Sequence, residues 1–249
     1  MNIVITAGGT NEKIDEVRHI TNMSSGKLGL EIFSNLDNMN IFYIYAKGSA
    51  YPKKTIYTPR LTLIEVSDTK SVETAVKKVI TENKIDFFIH AMAISDYRVD
   101  NVFSMDTLIE KILENQNINR GSLIESIESI SGVDKTTKIS SKEENMFISL
   151  KKTTKIVDII KDLDENIFLI SFKLLNGVSN KELIDIAHKQ LIRTKSNLVI
   201  ANDLNEIRTE GSHKAYFVRD DASFKPVSSK KCIGKEILKV INEKKDSNV

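Results

Sequence analysis

The chain has 249 residues, of which 41% are hydrophobic and 28% are charged, enough for one large globular domain or two small ones. Its net charge is only +2 with scattered basic residues, which argues against nucleic acid as the main partner. Cys232 is the only cysteine, the N-terminus lacks a signal-peptide pattern, and the apolar run at 87–94 is too short to span a bilayer. We therefore expect a cytoplasmic protein without a disulfide or a membrane partner.

The first half of the chain alternates short β-branched runs with amphipathic stretches, as in βαβ units around a mostly parallel sheet. We predict strands at residues 3–5, 41–45, 63–66 and 85–93, and a helix over 71–82. Each strand ends at small or polar residues.

The second half continues this pattern and then closes with a hairpin. Here we predict strands at 166–172 and 197–201, a helix over 180–194, a hairpin of 215–218 with 224–227, and a final helix over 229–242 followed by a frayed charged tail. The fold class that follows is α/β, a Rossmann-like three-layer sandwich with a mostly parallel central sheet and a small C-terminal hairpin.

The polar segment at residues 100–136 interrupts the βα rhythm and contains two short helical patterns. Its core would be too small to stand alone. We interpret residues 1–249 as a single domain and 100–136 as a lid or helical segment inserted within it.

Two clusters of small residues follow the first strand, and both suit a phosphate. Gly8 and Gly9 permit left-handed backbone angles and the close approach of a ligand. Ser24 and Gly26, with Gly29 one turn later, open a helix whose unpaired amides favour anions. The alternative is a plain strand-to-helix connection with a serine N-cap.

Two familiar phosphate-binding motifs are absent from this region. The first turn lacks Gly-x-Gly-x-x-Gly, and Lys27 is followed by leucine rather than the Ser or Thr of a Walker loop. One alternative function is a Rossmann-like NAD(P) oxidoreductase, for example of the short-chain dehydrogenase type, but Tyr97 is followed four residues later by Asn101 instead of the lysine of the Tyr-x-x-x-Lys pair. A second alternative is a nucleotide sensor that binds phosphates without catalysing a reaction.

The segments ITAGGT and IDEVRHITNMSSGKLG resemble the opening of phosphopantothenate-cysteine ligases. HAMAISDYRV, KISS, FISLKKTTKIV, ISFKLL and LVIANDL follow in the order of that family and extend the resemblance over nearly the whole chain. The resemblance implies ligation of 4'-phosphopantothenate to L-cysteine through an acyl nucleotide, by a free-standing ligase whose partner decarboxylase is a separate chain.

The resemblance also implies a role for individual residues. The nucleotide contacts would be Gly8, Ser24, Gly26, Gly29, Phe172 and Asn202. The phosphopantothenate contacts would be Asn22, Met92, Ala93 and Asp96, with Met92 contributing through its backbone. Arg18 would reach the neighbouring subunit's site in a homodimer, and Lys138 would stabilise the triphosphate and the acyl nucleotide. Asn22 and Lys138 are thus the expected catalytic residues, since fixed donors must stabilise the charge that develops.

The resemblance leaves the nucleotide open between CTP, which we favour, and ATP. Lys189 and Arg193 are the nearest counterparts of basic residues that bind the triphosphate in bacterial relatives. We expect Mg²⁺ to bind with the nucleotide and without a dedicated protein cage. Asp15, Asp96 and Asp203 could assist the ion, but each could equally be a turn or capping acid.

Overall fold

The computed structural model describes residues 1–53, 60–115, 117–132, 144–208 and 213–246. The strands of these residues are β1 (Asn2–Ala7), β2 (Asn11–Lys13), β3 (His19–Thr21), β4 (Asn40–Ala46), β5 (Leu61–Val66), β6 (Phe87–His90), β7 (Tyr97–Ser104), β8 (Met146–Lys152), β9 (Phe168–Leu175), β10 (Leu198–Asp203), β11 (Ala215–Val218) and β12 (Phe224–Val227). The helices are α1 (Lys27–Phe33), α2 (Thr69–Glu82), α3 (Met105–Leu113), α4 (Arg120–Ser129), α5 (Ile156–Leu163), α6 (Asn180–Thr194), α7 (Leu204–Arg208) and α8 (Lys230–Asp246). Within the described ranges, no helix is both long and apolar enough to cross a membrane.

The central sheet has the strand order β12-β11-β10-β9-β6-β1-β4-β5. Strands β10, β9, β6, β1, β4 and β5 are parallel to one another, and β11 and β12 extend the sheet as an antiparallel hairpin. This arrangement confirms the predicted fold class. The chain starts in the middle of the sheet, runs outward through β4 and β5, and then returns to β6.

In such sheets ligands bind at the carboxyl ends of the strands where the strand order reverses. In this sheet the order reverses between β1 and β6.

Helices cover both faces of the sheet and make the structure three-layered. Ile5 lies in one apolar cluster with Ile237 of α8, and Val4, on the opposite face, clusters with Val76 of α2 and Ile160 of α5. Helix α6 packs on β10 and β11 through a third cluster. Side chains alternate across the sheet because successive residues of a strand point to opposite faces.

Several predicted element ends differ from the observed ones, and two of these differences have a clear physical reason. The strand expected at 85–93 stops at His90, because the Met92 amide donates to the side-chain oxygen Oγ1 of Thr6 at 3.3 Å and Ala93 pairs with Gly9 only as an isolated parallel bridge. The tail expected to fray after residue 242 stays helical to Asp246. It contains no proline or glycine, and Lys239 pairs with Glu243 one turn later at 3.7 Å.

A second sheet pairs β7 with β8 in antiparallel register and was not predicted. A bulge between Val99 and Asn101 breaks the alternation of β7, which hides its strand pattern. Helices α3 and α4 lie between the two strands in sequence. Whether the segment at 100–136 is a lid stays a prediction, and residues 133–136 lie outside the described ranges.

Candidate active site

Two turns lie side by side at the carboxyl ends of β1 and β6, where Gly9 and Ala93 form a parallel bridge. The first contains Gly8, Gly9 and Thr10, and the second is the loop of residues 91–96, called the β6 loop below. The Ala93 amide donates to the Gly8 carbonyl at 2.8 Å, and the Thr10 amide donates to the Ala93 carbonyl at 3.1 Å. These bonds bring two predicted groups of site residues together, although they are more than 80 residues apart in sequence.

The glycines of the first turn are required by contacts within the chain itself. Gly8 has a φ of 94°, and a Cβ atom there would lie 2.5 Å from Ser49 Oγ. A Cβ atom on Gly9 would lie 2.0 Å from the backbone oxygen of Asn22. The missing side chains therefore let the segments that carry Ser49 and Asn22 pack onto the turn.

The second glycine cluster also packs against its neighbours. Gly26 is the N-cap of α1 with a φ of 72°, and a Cβ atom there would lie 2.8 Å from the Ala50 carbonyl oxygen. A Cβ atom on Gly29 would lie 2.5 Å from the Cβ of Ala7. The alternative of a serine N-cap is wrong, because no side chain caps α1. Ser24 is half-buried just before Gly26.

Asn22 links the β3 strand to the β6 loop. Its Nδ2 donates to the Ile94 carbonyl at 2.9 Å, and its backbone oxygen occupies the space above Gly9. An amide side chain has two N–H donors and an acceptor oxygen. Holding one donor on Ile94 fixes the amide plane and leaves the second donor and Oδ1 to meet a ligand.

Two buried threonine hydroxyl groups, of Thr6 and Thr10, hold the β6 loop through hydrogen bonds to its backbone amides. Thr6 Oγ1 lies 2.9 Å from His90 Nδ1 and accepts from the Met92 amide at 3.3 Å. Thr10 Oγ1 accepts from the Ser95 amide at 2.9 Å. The Met92 side chain is buried among apolar residues, so any ligand contact by Met92 would involve its backbone.

Burial sets the charge state of His90. Desolvation lowers the pKa of its imidazole to about 4, so the ring is neutral at neutral pH. A neutral imidazole can form the hydrogen bond with the Thr6 hydroxyl in either direction, because its Nδ1 donates in one tautomer and accepts in the other.

Asp96 closes the β6 loop and is tied to the segment before α5. Thr153 donates its amide to the Asp96 carbonyl at 3.0 Å and its hydroxyl to the Ser95 carbonyl at 2.6 Å. Lys155 Nζ donates to Asp96 Oδ1 at 3.1 Å. Sequence reasoning missed both Thr153 and Lys155; the signal was a short polar TTK run between a strand pattern and a helix pattern.

The two other acids named as helpers of a metal ion serve turns. Asp15 Oδ1 accepts from the amides of Val17 and Arg18, and its Oδ2 pairs with the Arg18 guanidinium at 2.6 Å. Asp203 accepts from the amides of Val178 and Asn205, and these bonds lower the pKa of its carboxyl. The turn-acid alternative therefore holds for both. The described ranges contain no group of three His, Cys, Asp or Glu side chains suited to a metal ion.

Phe172 and Asn202 lie on neighbouring strands, β9 and β10, with Asn202 buried and Phe172 half-buried. Gln190 of α6 reaches this strand pair, donating to Ser171 Oγ at 3.1 Å and to the Phe172 carbonyl at 3.2 Å. Gln190 is a further residue that the sequence did not single out.

The structure does not test the basic residues that were predicted to bind the triphosphate. Arg193 pairs with Asp158 on α5, and Lys189 is exposed on α6. Their role at a triphosphate stays a prediction. Lys138 lies outside the described residues. Arg18 is held by Asp15 on the connection between β2 and β3, an exposed part of the chain.

Comparison with known proteins shows which family the chain is similar to. Residues 1–116 match the family described as DNA/pantothenate metabolism flavoprotein C-terminal domain. The crystal structure of the DNA/pantothenate metabolism flavoprotein from Streptococcus pneumoniae is 33% identical, with a TM-score of 0.80 over 98% of this chain and 99% of that one.

More distant relatives extend the comparison. The coenzyme A biosynthesis bifunctional protein CoaBC of Thermococcus kodakarensis is 30% identical over 233 residues, which are 92% of this chain but 48% of that protein. A Cab2 variant in complex with phosphopantothenate-cysteine shares the fold, with 17% identity and a TM-score of 0.67 over 100% of this chain and 89% of that one. The chain thus spans about half the length of the curated relatives it matches. It belongs to the DNA/pantothenate metabolism flavoprotein C-terminal domain family.

Proposed function

We propose that the chain is a phosphopantothenate-cysteine ligase that joins 4'-phosphopantothenate to L-cysteine at the expense of a nucleoside triphosphate in coenzyme A synthesis. The observation that carries the proposal is the bond from Asn22 to Ile94, which fixes an uncharged amide where the β1 turn meets the β6 loop. The relatives named for coenzyme A biosynthesis, and the Cab2 complex with phosphopantothenate-cysteine, support the same assignment.

The first step is the activation of a carboxylate. A carboxylate oxygen of phosphopantothenate attacks the α-phosphorus of the nucleotide, an acyl nucleotide forms, and pyrophosphate leaves with the electron pair of the broken P–O bond. Several negative charges meet in this step, so donors held in place before the reaction lower its barrier. Asn22 contributes a donor that does not titrate, and Lys138 would contribute a positive charge.

The second step transfers the acyl group. The amine of cysteine attacks the acyl carbonyl, an amide bond forms, and nucleoside monophosphate leaves after the nitrogen loses a proton. Much of the acceleration of such a step comes from holding the two reactants in a reactive orientation. The Asn22 amide can hold the acyl carbonyl through its remaining N–H, while the β6 loop with Met92, Ala93 and Asp96 holds the rest of the acid.

The nucleotide would lie against the carboxyl ends of the parallel strands. Gly8, Gly9, Ser24, Gly26 and Gly29 border one part of this edge, and Phe172 and Asn202 border another. We favour CTP over ATP. Mg²⁺, when bound with the nucleotide, would neutralise its phosphates, and oxygen ligands from phosphate and water suit this ion. Asp15 and Asp203 are already engaged by groups of their own chain.

We further propose that the chain acts as a cytoplasmic homodimer in which Arg18 completes the neighbouring subunit's site. Arg18 supports this proposal by its exposed place on the β2–β3 connection. Mixing an Arg18→Ala subunit with an Asn22→Ala subunit would restore part of the activity, because each mixed dimer would hold one intact site.

The test of the function is a direct assay. Purified protein receives phosphopantothenate, cysteine, Mg²⁺ and either CTP or ATP, and both pyrophosphate and the cysteine adduct are measured. We expect equal amounts of the two products, with CTP the better substrate. We also expect Lys138→Ala to slow pyrophosphate release. Absence of the adduct with both nucleotides would reject the ligase proposal.

A further inference from the structure

We propose that Lys155 is a positioning residue that neutralises Asp96 and thereby lets an anionic substrate bind beside that carboxylate. This inference rests on the ligase function proposed above. Its starting point is the ion pair between Lys155 Nζ and Asp96 Oδ1, 3.1 Å long, which joins residues 59 positions apart in sequence.

The backbone around the pair is fixed on both sides. Thr153 holds the Ser95 and Asp96 carbonyls with its hydroxyl and its amide, at 2.6 and 3.0 Å. On the other side, Thr10 Oγ1 accepts a hydrogen bond from the Ser95 amide at 2.9 Å. With these anchors, hydrogen bonds on both sides fix the backbone position at which Lys155 meets the Asp96 carboxylate.

The place of Lys155 on α5 gives no folding reason for a positive charge. Lys155 is the N-cap of α5 and makes no side-chain capping bond. The N-terminus of a helix carries a partial positive charge, so a cation is unfavourable there. The partners are also well exposed, 55% for the Lys155 side chain and 67% for that of Asp96, and such pairs add little to folding stability.

The proposed ligands supply the missing reason. Phosphopantothenate carries a carboxylate and a phosphate, and the nucleotide carries a triphosphate. A bare carboxylate next to these groups would repel them, because like charges disfavour association. Asp96 ends the loop that carries Met92 and Ala93, so its charge needs a partner when the acid binds. Among the described residues, Lys155 is the cation that pairs with it.

The test compares four single variants and the Asp96→Asn/Lys155→Met double variant. Lys155→Met removes the charge and keeps the length, and Lys155→Arg keeps the charge. Lys152→Met removes an exposed charge of β8 three residues earlier and serves as the matched control. Asp96→Asn removes the carboxylate that Lys155 neutralises. Equilibrium dialysis gives the dissociation constant for phosphopantothenate, and steady-state assays give KM and kcat separately.

We expect Lys155→Met to weaken phosphopantothenate binding roughly tenfold, with kcat and the melting temperature nearly unchanged. Lys155→Arg should restore binding, and Lys152→Met should bind like the wild type. In the Asp96→Asn background, Lys155→Met should change the dissociation constant less than about twofold, because residues that act through one another are not additive.

Two results would overturn the inference while leaving the ligase function intact: unchanged binding by Lys155→Met, or an equal loss in the Asp96→Asn background. The latter would mean that Lys155 acts without Asp96. Failure of the wild type to turn over with either nucleotide would instead reject the ligase function, whereas dialysis reports on Lys155 without turnover.

Discussion

The buried imidazole of His90 makes the stability of the protein depend on pH in a defined direction. Its folded-state pKa is lowered to about 4 from an ordinary value of 6.5. Between these two values the unfolded chain binds a proton that the folded chain does not, so stability falls as the pH decreases from 6.5 to 4. One pKa unit corresponds to about 1.4 kcal/mol, so the whole loss is about 3 kcal/mol, of which about 2 kcal/mol has occurred at pH 5.

The assay is urea unfolding at pH 7.5 and pH 5.0, with the free energy of unfolding extrapolated to water. His90→Gln removes the titrating group and keeps a polar side chain near Thr6. At pH 7.5 the variant should be the less stable protein, because a buried hydroxyl has lost its fitted partner. Its further loss on going to pH 5.0 should be smaller than that of the wild type by about 2 kcal/mol.

A second buried histidine, His213, does not affect this comparison. Burial, with a contribution from Lys230, also lowers its pKa to about 4. It titrates equally in both proteins and cancels from the comparison. If the wild type and His90→Gln lose the same stability between the two pH values, then His90 is not held neutral by burial and the reasoning fails.

Three further predictions concern the site. Gly9→Ala places a Cβ atom 2.0 Å from the Asn22 backbone oxygen and should lower the free energy of unfolding by about 3 kcal/mol, measured by calorimetry. The control Gly121→Ala places a Cβ atom 3.2 Å from a side-chain oxygen and should change it by less than about 1 kcal/mol. Similar melting temperatures for the two variants would contradict the close packing of Asn22 on Gly9. Asp203→Asn should be less stable than the wild type at pH 7, because the amides that lower the pKa of the Asp203 carboxyl stabilise its charged form. The difference in stability should shrink as the pH falls below about 4 and the carboxyl becomes protonated. Urea unfolding at pH 7 and pH 3 measures this difference, and an equal difference at both pH values would mean that the charge of Asp203 does not stabilise the fold. Asn22→Ala should lower kcat about 100-fold, measured by pyrophosphate release, and wild-type turnover would remove Asn22 from the mechanism.

The fold was largely predictable because its parallel strands are buried on both faces. Residues 3–5 and 41–45 are short apolar runs, and such runs are typical of strands covered by helices. The hairpin at 215–218 and 224–227 was also predicted with its observed bounds. The pairing of β7 with β8 was not predicted, because the strands are distant in sequence and a bulge between Val99 and Asn101 disturbs the alternation.

The site was predictable in composition but not in its contacts. The pattern at Gly8 and Gly9 indicated close approach, yet the groups that approach are Ser49 and the Asn22 carbonyl of the same chain. The bonds of Asn22 to Ile94 and of Lys155 to Asp96 join residues 72 and 59 positions apart. Such pairs form where segments that are distant in sequence meet the β6 loop in space, and local sequence patterns do not contain this information.

The central claim is that the chain activates a carboxylate as an acyl nucleotide, and isotope transfer tests it most directly. Phosphopantothenate labelled with ¹⁸O in its carboxylate is turned over with cysteine and CTP or ATP, and the products are analysed by mass spectrometry. One ¹⁸O atom is expected in the nucleoside monophosphate and none in pyrophosphate. Label in inorganic phosphate, together with unlabelled nucleoside diphosphate, would show an acyl phosphate instead and contradict the claim.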